Sequence, residues 1–335
     1  MPKAAGRLSP LARGKSVAGR FIPYLLTVFF LISLNFFLPR LAPGDPVSAL
    51  LASGNGPADQ AVRQKVAHYY GLDRPISSQY FSYLGALGRG DLGISIQRNA
   101  PVTGLIAERL PWTLLLAGSA IAISTLVGTV AGIHSGWRRG RGLDRGLLAV
   151  FMSIRQFPVF FLGSLLLFVF AVKLRWVPLG GAKTAFSDSF GPLRRVADIA
   201  HHLVLPAGLL GIQFSAGHYL VMRAGMVGEL GAGYLQLGKA KGLTERRLKY
   251  RYAARNALLP VVSVTALQLG FAVTITIFVE TVFAYPGLGR LTFDALAYRD
   301  YPVLQGAFLV TTLAVVTINF LSDVLYRRLD PRAAV

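Results

Sequence analysis

The sequence predicts an all-α polytopic membrane protein, and three observations carry that prediction. Of its 335 residues 53% are hydrophobic and only 15% charged, where soluble domains carry about 25% charged residues. Six apolar stretches approach the roughly 20 residues that a helix needs to cross a bilayer core. The Lys and Arg residues gather in alternate connections between those stretches, as the positive-inside rule requires.

The first predicted span, 21–39, follows a basic tail, residues 1–20, with Lys3, Arg7, Arg13, Lys15 and Arg20. Its apolar run exceeds the roughly 7–15 residues of a signal-peptide core, and no small-residue cleavage site follows, so it reads as an uncleaved anchor. Pro43-Gly44-Asp45-Pro46 ends that helix. Residues 40–110 form an extracytoplasmic segment between spans 1 and 2, and its pattern predicts short amphipathic helices. Val62, Val66 and Tyr69 recur at helical spacing before Gly71; Tyr80, Leu84 and Leu87 do so before Gly88; Leu105, Ile106 and Leu110 lead toward the second span.

Residues 111–326 hold the other five spans. Span 112–133 carries Gly128, Gly132 and Gly136, spaced by four to form a close-packing face. Span 147–172 contains Arg155 and Pro158 and is the least regular. Spans 203–222, 261–283 and 304–326 follow, with Pro286-Gly287 stopping the fifth, and residues 327–335 form the C-terminal tail. Lys and Arg number five in 1–20, four in 134–146, eight in 223–259 and three in 327–335, which is twenty of thirty-five. The opposite connections hold fewer over more sequence, so both termini are expected in the cytoplasm.

Composition also excludes functions. With no Cys, thiol chemistry, disulfides and zinc–thiolate sites are ruled out. The net charge of +20 is distributed as membrane topology demands, so it does not point to nucleic acid. Gly14-Lys15-Ser16 resembles the end of a phosphate-binding loop, but Ser9 stands where the leading Gly belongs. The adjacent His201 and His202 lack helical ligand spacing. No paired carboxylates, nucleophile elbow or metalloprotease motif is present. Arg155 and Glu280 are charges inside spans, each costing about 2.5–3.5 kcal/mol if central. For Arg155 the residues leave snorkelling or pathway lining open, and for Glu280 pairing with a neighbouring helix or pathway lining.

The strip from Glu229 to Pro260 is the most informative stretch. Residues 223–259 hold eight Lys/Arg against two Glu between long apolar runs, so the strip stands in water or docks on a partner. Tyr234, Leu237 and Leu248 supply apolar anchors, Gly242 interrupts a helical pattern, and Leu258-Leu259-Pro260 marks re-entry into the membrane. A helix, a Gly break and a second helix would form a knob for a partner's groove.

The wording of this strip resembles the loop by which ABC-importer permeases of the dipeptide/oligopeptide/nickel branch grip their ATPase subunits. The family's Gly corresponds to Gly242 and its closing Leu-Pro to Leu259-Pro260. Its Glu-Ala-Ala triplet falls on Gln236, Leu237 and Gly238 and is not kept. Ala240-Lys241-Gly242-Leu243 and Arg255-Asn256-Ala257-Leu258-Leu259-Pro260 are similar to the peptide branch. So, in order along the chain, are Arg40-Leu41-Ala42-Pro43-Gly44-Asp45-Pro46, Gly71-Leu72-Asp73-Arg74-Pro75, Gly90-Asp91-Leu92-Gly93 with Ser95, and Glu108-Arg109-Leu110-Pro111. Glu280-Thr281-Val282-Phe283 running into Pro286-Gly287-Leu288-Gly289, Arg299-Asp300-Tyr301-Pro302 and Leu329-Asp330-Pro331-Arg332 complete the set.

The resemblance implies a type I importer permease fold of six transmembrane helices in a bacterial cytoplasmic membrane, forming half of a translocation pathway. It implies a homologous second permease, two ABC ATPases that bind ATP and Mg, and an extracytoplasmic substrate-binding protein, with no cofactor on this chain. It assigns the ATPase contact to Tyr234, Leu237, Lys239, Ala240, Lys241, Gly242, Leu243 and Pro260. The reading from another class is a passive channel or a non-catalytic subunit of a membrane enzyme complex. A channel needs a filter or charged ring, and an enzyme needs cofactor ligands; the sequence offers neither.

Overall fold

A computed structural model describes residues 17–41, 64, 68, 73–298 and 300–329. Regular structure among them is helical, apart from one antiparallel bridge between Ile94 and Pro101. The helices are α1 (Val17–Leu41), α2 (Ile76–Gly88), α3 (Val102–Trp137), α4 (Gly142–Gln156) and α5 (Val159–Leu167), the last running into a π-helical turn at Phe168–Lys173. Next come α6 (Pro192–Glu229) and α7 (Gly233–Ala240). The turns Glu245–Arg247, Leu248–Ala253 and Ala254–Ala257 follow one another as α8. The chain closes with α9 (Leu259–Val282), α10 (Leu288–Ala297) and α11 (Tyr301–Leu329).

The packing centre is the α3–α6 pair. A Cβ on Gly128 would lie 2.5 Å from Ser215 O, one on Gly132 2.7 Å from Met222 Cβ, and one on Gly136 2.5 Å from Met226 Cβ. The three glycines thus let two backbones touch, which is how helices gain dispersion energy where lipid offers no hydrophobic drive. Partner numbers rise together on both helices, so α3 and α6 run parallel. Two parallel helices need a return crossing between them, and only residues 138–191 can supply it.

That return covers the expected span 147–172, the least regular one read from the sequence, and it is broken in the structure. The chain returns as α4 and α5, bent by 98° at Phe157-Pro158. Pro158 has no N–H to donate and forces its predecessor out of the α region, and Phe157 accordingly sits at φ −79°, ψ 134°. Among the described residues, four single helices are long and apolar enough to cross a membrane: Val102–Trp137, Pro192–Glu229, Leu259–Val282 and Tyr301–Leu321. The α4–α5 pair counts as a fifth if it is one span, and α1 contributes the shorter apolar stretch Ile22–Phe37.

The remaining helices alternate in direction. Gln268 of α9 donates to Phe214 O and Thr265 meets His218, so α9 runs antiparallel to α6. Asn35 donates to Gln305 O while Tyr24 packs edge-on against Phe320, so α1 runs antiparallel to α11. Leu116 and Ala120 of α3, Leu209 and Leu210 of α6, and Val279 and Phe283 at the end of α9 share one buried cluster.

Helix ends depart from the hydropathy boundaries for one reason: hydropathy senses only the bilayer-depth part of a helix. The fourth expected span, 203–222, lies within the 38-residue α6, with Pro192 supplying its N-terminal start. Leu105, Ile106 and Leu110 lie on the same helix as the second apolar stretch. Tyr80, Leu84 and Leu87 lie on α2, which Gly88 closes. The expectations on Pro43-Gly44-Asp45-Pro46 and on Val62, Val66, Tyr69 and Gly71 fall outside the described residues.

Candidate functional site

The strip folds as a helix, a glycine stop and a second helix. At the end of α7 the Leu243 N–H donates to Gly238 O at 3.0 Å and the Gly242 N–H to Lys239 O at 2.9 Å. These paired bonds satisfy carbonyls that a helix end leaves orphaned, and they require a left-handed residue at Gly242, whose φ is +73°. The Gly238 position is equally constrained, because a Cβ there would meet Leu248 Cδ2 at 2.6 Å.

One face of this knob is seated. Leu235 and Leu248, each 2% exposed, join Met222 and Met226 of α6, Ile133 of α3, Val261 of α9 and three α8 alanines in a single cluster. Polar clamps surround it: Trp137 Nε1 donates to Glu245 Oε1 at 2.5 Å, and His134 lies 2.9 Å from both Lys249 Nζ and the Tyr250 hydroxyl. Burial, with Arg138 nearby, lowers the Lys249 pKa. The Tyr234 hydroxyl donates to Glu229 and accepts from Asn256; burial and the Glu229 bond raise its pKa.

The other face is bare. Leu237 is 56% exposed, and Lys239, Ala240, Lys241 and Gly242 are exposed beside it. Tyr234 and Leu243 are half-buried against the strip's own cluster, and Pro260 is an exposed residue in the first turn of α9. Among the three anchors read from the sequence, Leu237 alone is offered to solvent. A 420 Å³ cavity lies between α7, α8 and the end of α3, lined by Trp137, Arg138, Arg141, Leu235, Lys239 and Glu245 among others, and Leu237 does not line it.

Glu280 and Arg155 occupy opposite environments. Glu280 is completely buried. It accepts from Thr113 Oγ1 at 2.7 Å and from the Arg290 N–H at 2.9 Å, while the Leu288 N–H donates to Thr113 Oγ1 at 2.7 Å. The carboxylate therefore caps the N-terminus of α10, where helix N–H groups are unpaired. A Cβ on Gly287 would lie 2.2 Å from its Cδ. Arg155, in the last turn of α4, is exposed and has no hydrogen bond or ion pair among the described residues.

Sequence reasoning missed two polar anchors. Asp144 receives Arg223 through two bonds at 2.6 and 2.8 Å and Ser135 Oγ at 2.5 Å, pinning α4 to α6 and α3. Asp300 receives Ser95 Oγ at 2.5 Å and the Ile96 and Gln97 N–H groups, fixing the loop before α3 to the start of α11. Both pairs join fragments far apart in sequence, so only a buried acid with no local partner would have hinted at them. No group of three or more His, Cys, Asp or Glu suited to a metal ion occurs among the described residues.

Comparison with known proteins places this geometry. Residues 124–335 match the family of binding-protein-dependent transport system inner membrane components, and residues 15–117 match that system's N-terminal membrane component. The di/tripeptide transport system permease protein DppB of Pseudomonas aeruginosa is 34% identical, the match covering 95% of this chain and 98% of that protein. The glutathione transport system permease protein GsiC of Escherichia coli K12 is 36% identical over 94% and 97%. The oligopeptide transport system permease protein AppB of Bacillus subtilis is 34% identical over 93% and 95%. A solved inward-facing MetNI methionine ABC transporter chain shares the fold, with a TM-score of 0.52 at 18% identity over 68% of this chain and 96% of that one.

Proposed function

The chain belongs to the family of binding-protein-dependent transport system inner membrane components and is a transmembrane permease subunit of an ABC importer; we propose that it couples to ATPase subunits through the strip 229–260. The family assignment favours this reading over a passive channel or a subunit of a membrane enzyme complex. We further propose short peptides as the substrate, because the relatives named above are di/tripeptide, oligopeptide and glutathione permeases.

The observation that carries the coupling role is the two-faced knob. Its backbone is closed on itself at Gly242 and its inner face is packed on α3, α6 and α9, yet Leu237 and Lys239 to Gly242 face solvent. A groove on a partner would receive that face, and Gly242, where an added Cβ would point into open space, would permit close backbone approach. Movement of the partner ATPases would then reach α6 through Met222 and Met226 and α3 through Trp137 and His134. Rigid-body shifts of those helices alternate access to the pathway.

In this scheme both termini and the strip are cytoplasmic and the chain makes six crossings. A homologous permease supplies the other half of the pathway, and ATP and Mg are bound by the ATPases. A binding protein delivers substrate at the outer face, where the 40–110 segment helps to receive it. Glu280 is a packing residue in this reading. Co-purification of the ATPase pair with Gly242→Asp tests the coupling role. Loss of the ATPases from a membrane-inserted variant is expected, and full retention with normal uptake would refute it.

A further inference from the structure

Arg155 sits where a charge facing lipid would be most costly. Gln213, near the middle of the 38-residue α6, donates Nε2 to Phe157 O at 3.0 Å, so the crease between α4 and α5 lies at the mid-depth of that helix and not at its end. Of the two readings open for Arg155, this placement favours pathway lining over snorkelling. Two features at this depth demand water or protein beside them. One is the non-helical backbone at Phe157-Pro158, which membranes tolerate only against protein or a water-filled cavity. The other is the exposed, unpaired guanidinium itself.

A cavity of about 320 Å³ opens there, lined by Arg155, Gln213, Phe214, Gly217, Gln268 and Phe271, among others. Its polar wall belongs to three helices, α4, α6 and α9. Gln268 Nε2 donates to Phe214 O at 3.2 Å, and Gln268 Oε1 is a buried acceptor with no partner among the described residues. The wall thus offers one fixed positive charge, amide groups and two aromatic rings. A carboxylate matches the guanidinium, and a neighbouring amide N–H matches a glutamine oxygen.

We propose that the α4–α5 crease forms an anion subsite of the translocation pathway, in which Arg155 engages the carboxylate of a passing peptide. The inference rests on the permease reading above. It makes Arg155 a specificity-determining residue: substrates bearing a free carboxylate pass, and cationic ones lacking it are disfavoured at this point.

The chain has no cysteine, so in an assembly whose partner subunits are made cysteine-free a single introduced thiol reports on its own surroundings. In the importer assembled with its partner permease and ATPases, Phe271→Cys is exposed to sulfonate-bearing and to trimethylammonium-bearing methanethiosulfonates. The sulfonate should react faster, relative to the intrinsic ratio on free thiol, by roughly a hundredfold, because one positive charge about 10 Å away at an effective dielectric of about 20 attracts the first reagent and repels the second. Adding Arg155→Gln should remove the preference and Arg155→Lys should keep it. Val159→Cys, on the α5 side of the same cavity, serves as a second reporter should Phe271→Cys fail to assemble. Cysteines that react with neither reagent would show the crease to face lipid or protein, and a preference unchanged by Arg155→Gln would remove Arg155 from the site; either result overturns the proposal. ATP-dependent uptake of a mixed di- and tripeptide pool by the parent complex separates the two readings. Uptake without a charge preference sinks the subsite alone, whereas a charge preference without peptide uptake supports the subsite and sinks the peptide reading.

Discussion

The knot around Glu280 and the strip around Gly242 use the same parts to opposite ends. Each seats a short helix, α10 or α7, on the end of α3, and each depends on glycines where a side chain would collide. In the knot every polar group turns inward: the Glu280 carboxylate takes the Thr113 hydroxyl and the Arg290 N–H, and Gly287 leaves room for it. In the strip the backbone is also internally satisfied, but the side chains of Leu237, Lys239, Ala240 and Lys241 have nothing over them. A buried polar group with all partners present fixes a fold. A self-supporting backbone with a bare face is what a docking element needs, because it stays in shape before the partner arrives.

Substitutions that exchange these properties sharpen the contrast. Glu280→Ala should be the most damaging, since it strands at least two buried donors at about 1–3 kcal/mol each. A marked fall in the unfolding temperature of the detergent-solubilised protein is expected, with Glu280→Gln intermediate. An unshifted temperature would break the comparison at its inner end. Asp144→Asn comes next. It removes the charge from a bidentate pair with Arg223, and hydrogen bonds to charged groups are worth about 1.5–3 kcal/mol. The same melting assay should place it between the knot and the strip.

Gly242→Ala should cost about 1–2 kcal/mol, the penalty for a left-handed L-residue, because no atom stands within 4 Å to clash with the new methyl. Leu237→Ala should move stability by no more than about 0.5 kcal/mol, as an exposed position without partners. Its effect belongs instead to ATPase retention, read by co-purification. A Leu237→Ala variant that melts early would mean that this face packs within the chain after all.

How much of this was legible in advance varied with the physics. The helical class, the α3 glycine face and the helix–Gly–helix form of the strip all rest on local periodicity, so the sequence carries them. The 98° crease was only half legible: Pro158 announces a break, but the angle is set by what α6 offers Phe157. The bare and seated faces of α7 were not separable from sequence. Tyr234, Leu237 and Leu248 look alike as apolar anchors, and only tertiary packing buries Leu248 while exposing Leu237. Asp144 and Asp300 were invisible as anchors, because their partners lie 79 and 205 residues away.

The account stands most directly on Gly242→Asp, measured for melting temperature and for ATPase co-purification in one preparation. It predicts a membrane-inserted protein that melts within a few degrees of the parent but no longer retains the ATPase pair. A variant that keeps the ATPases and transports at the parent rate would show the strip to be an ordinary basic connector, contradicting the central claim.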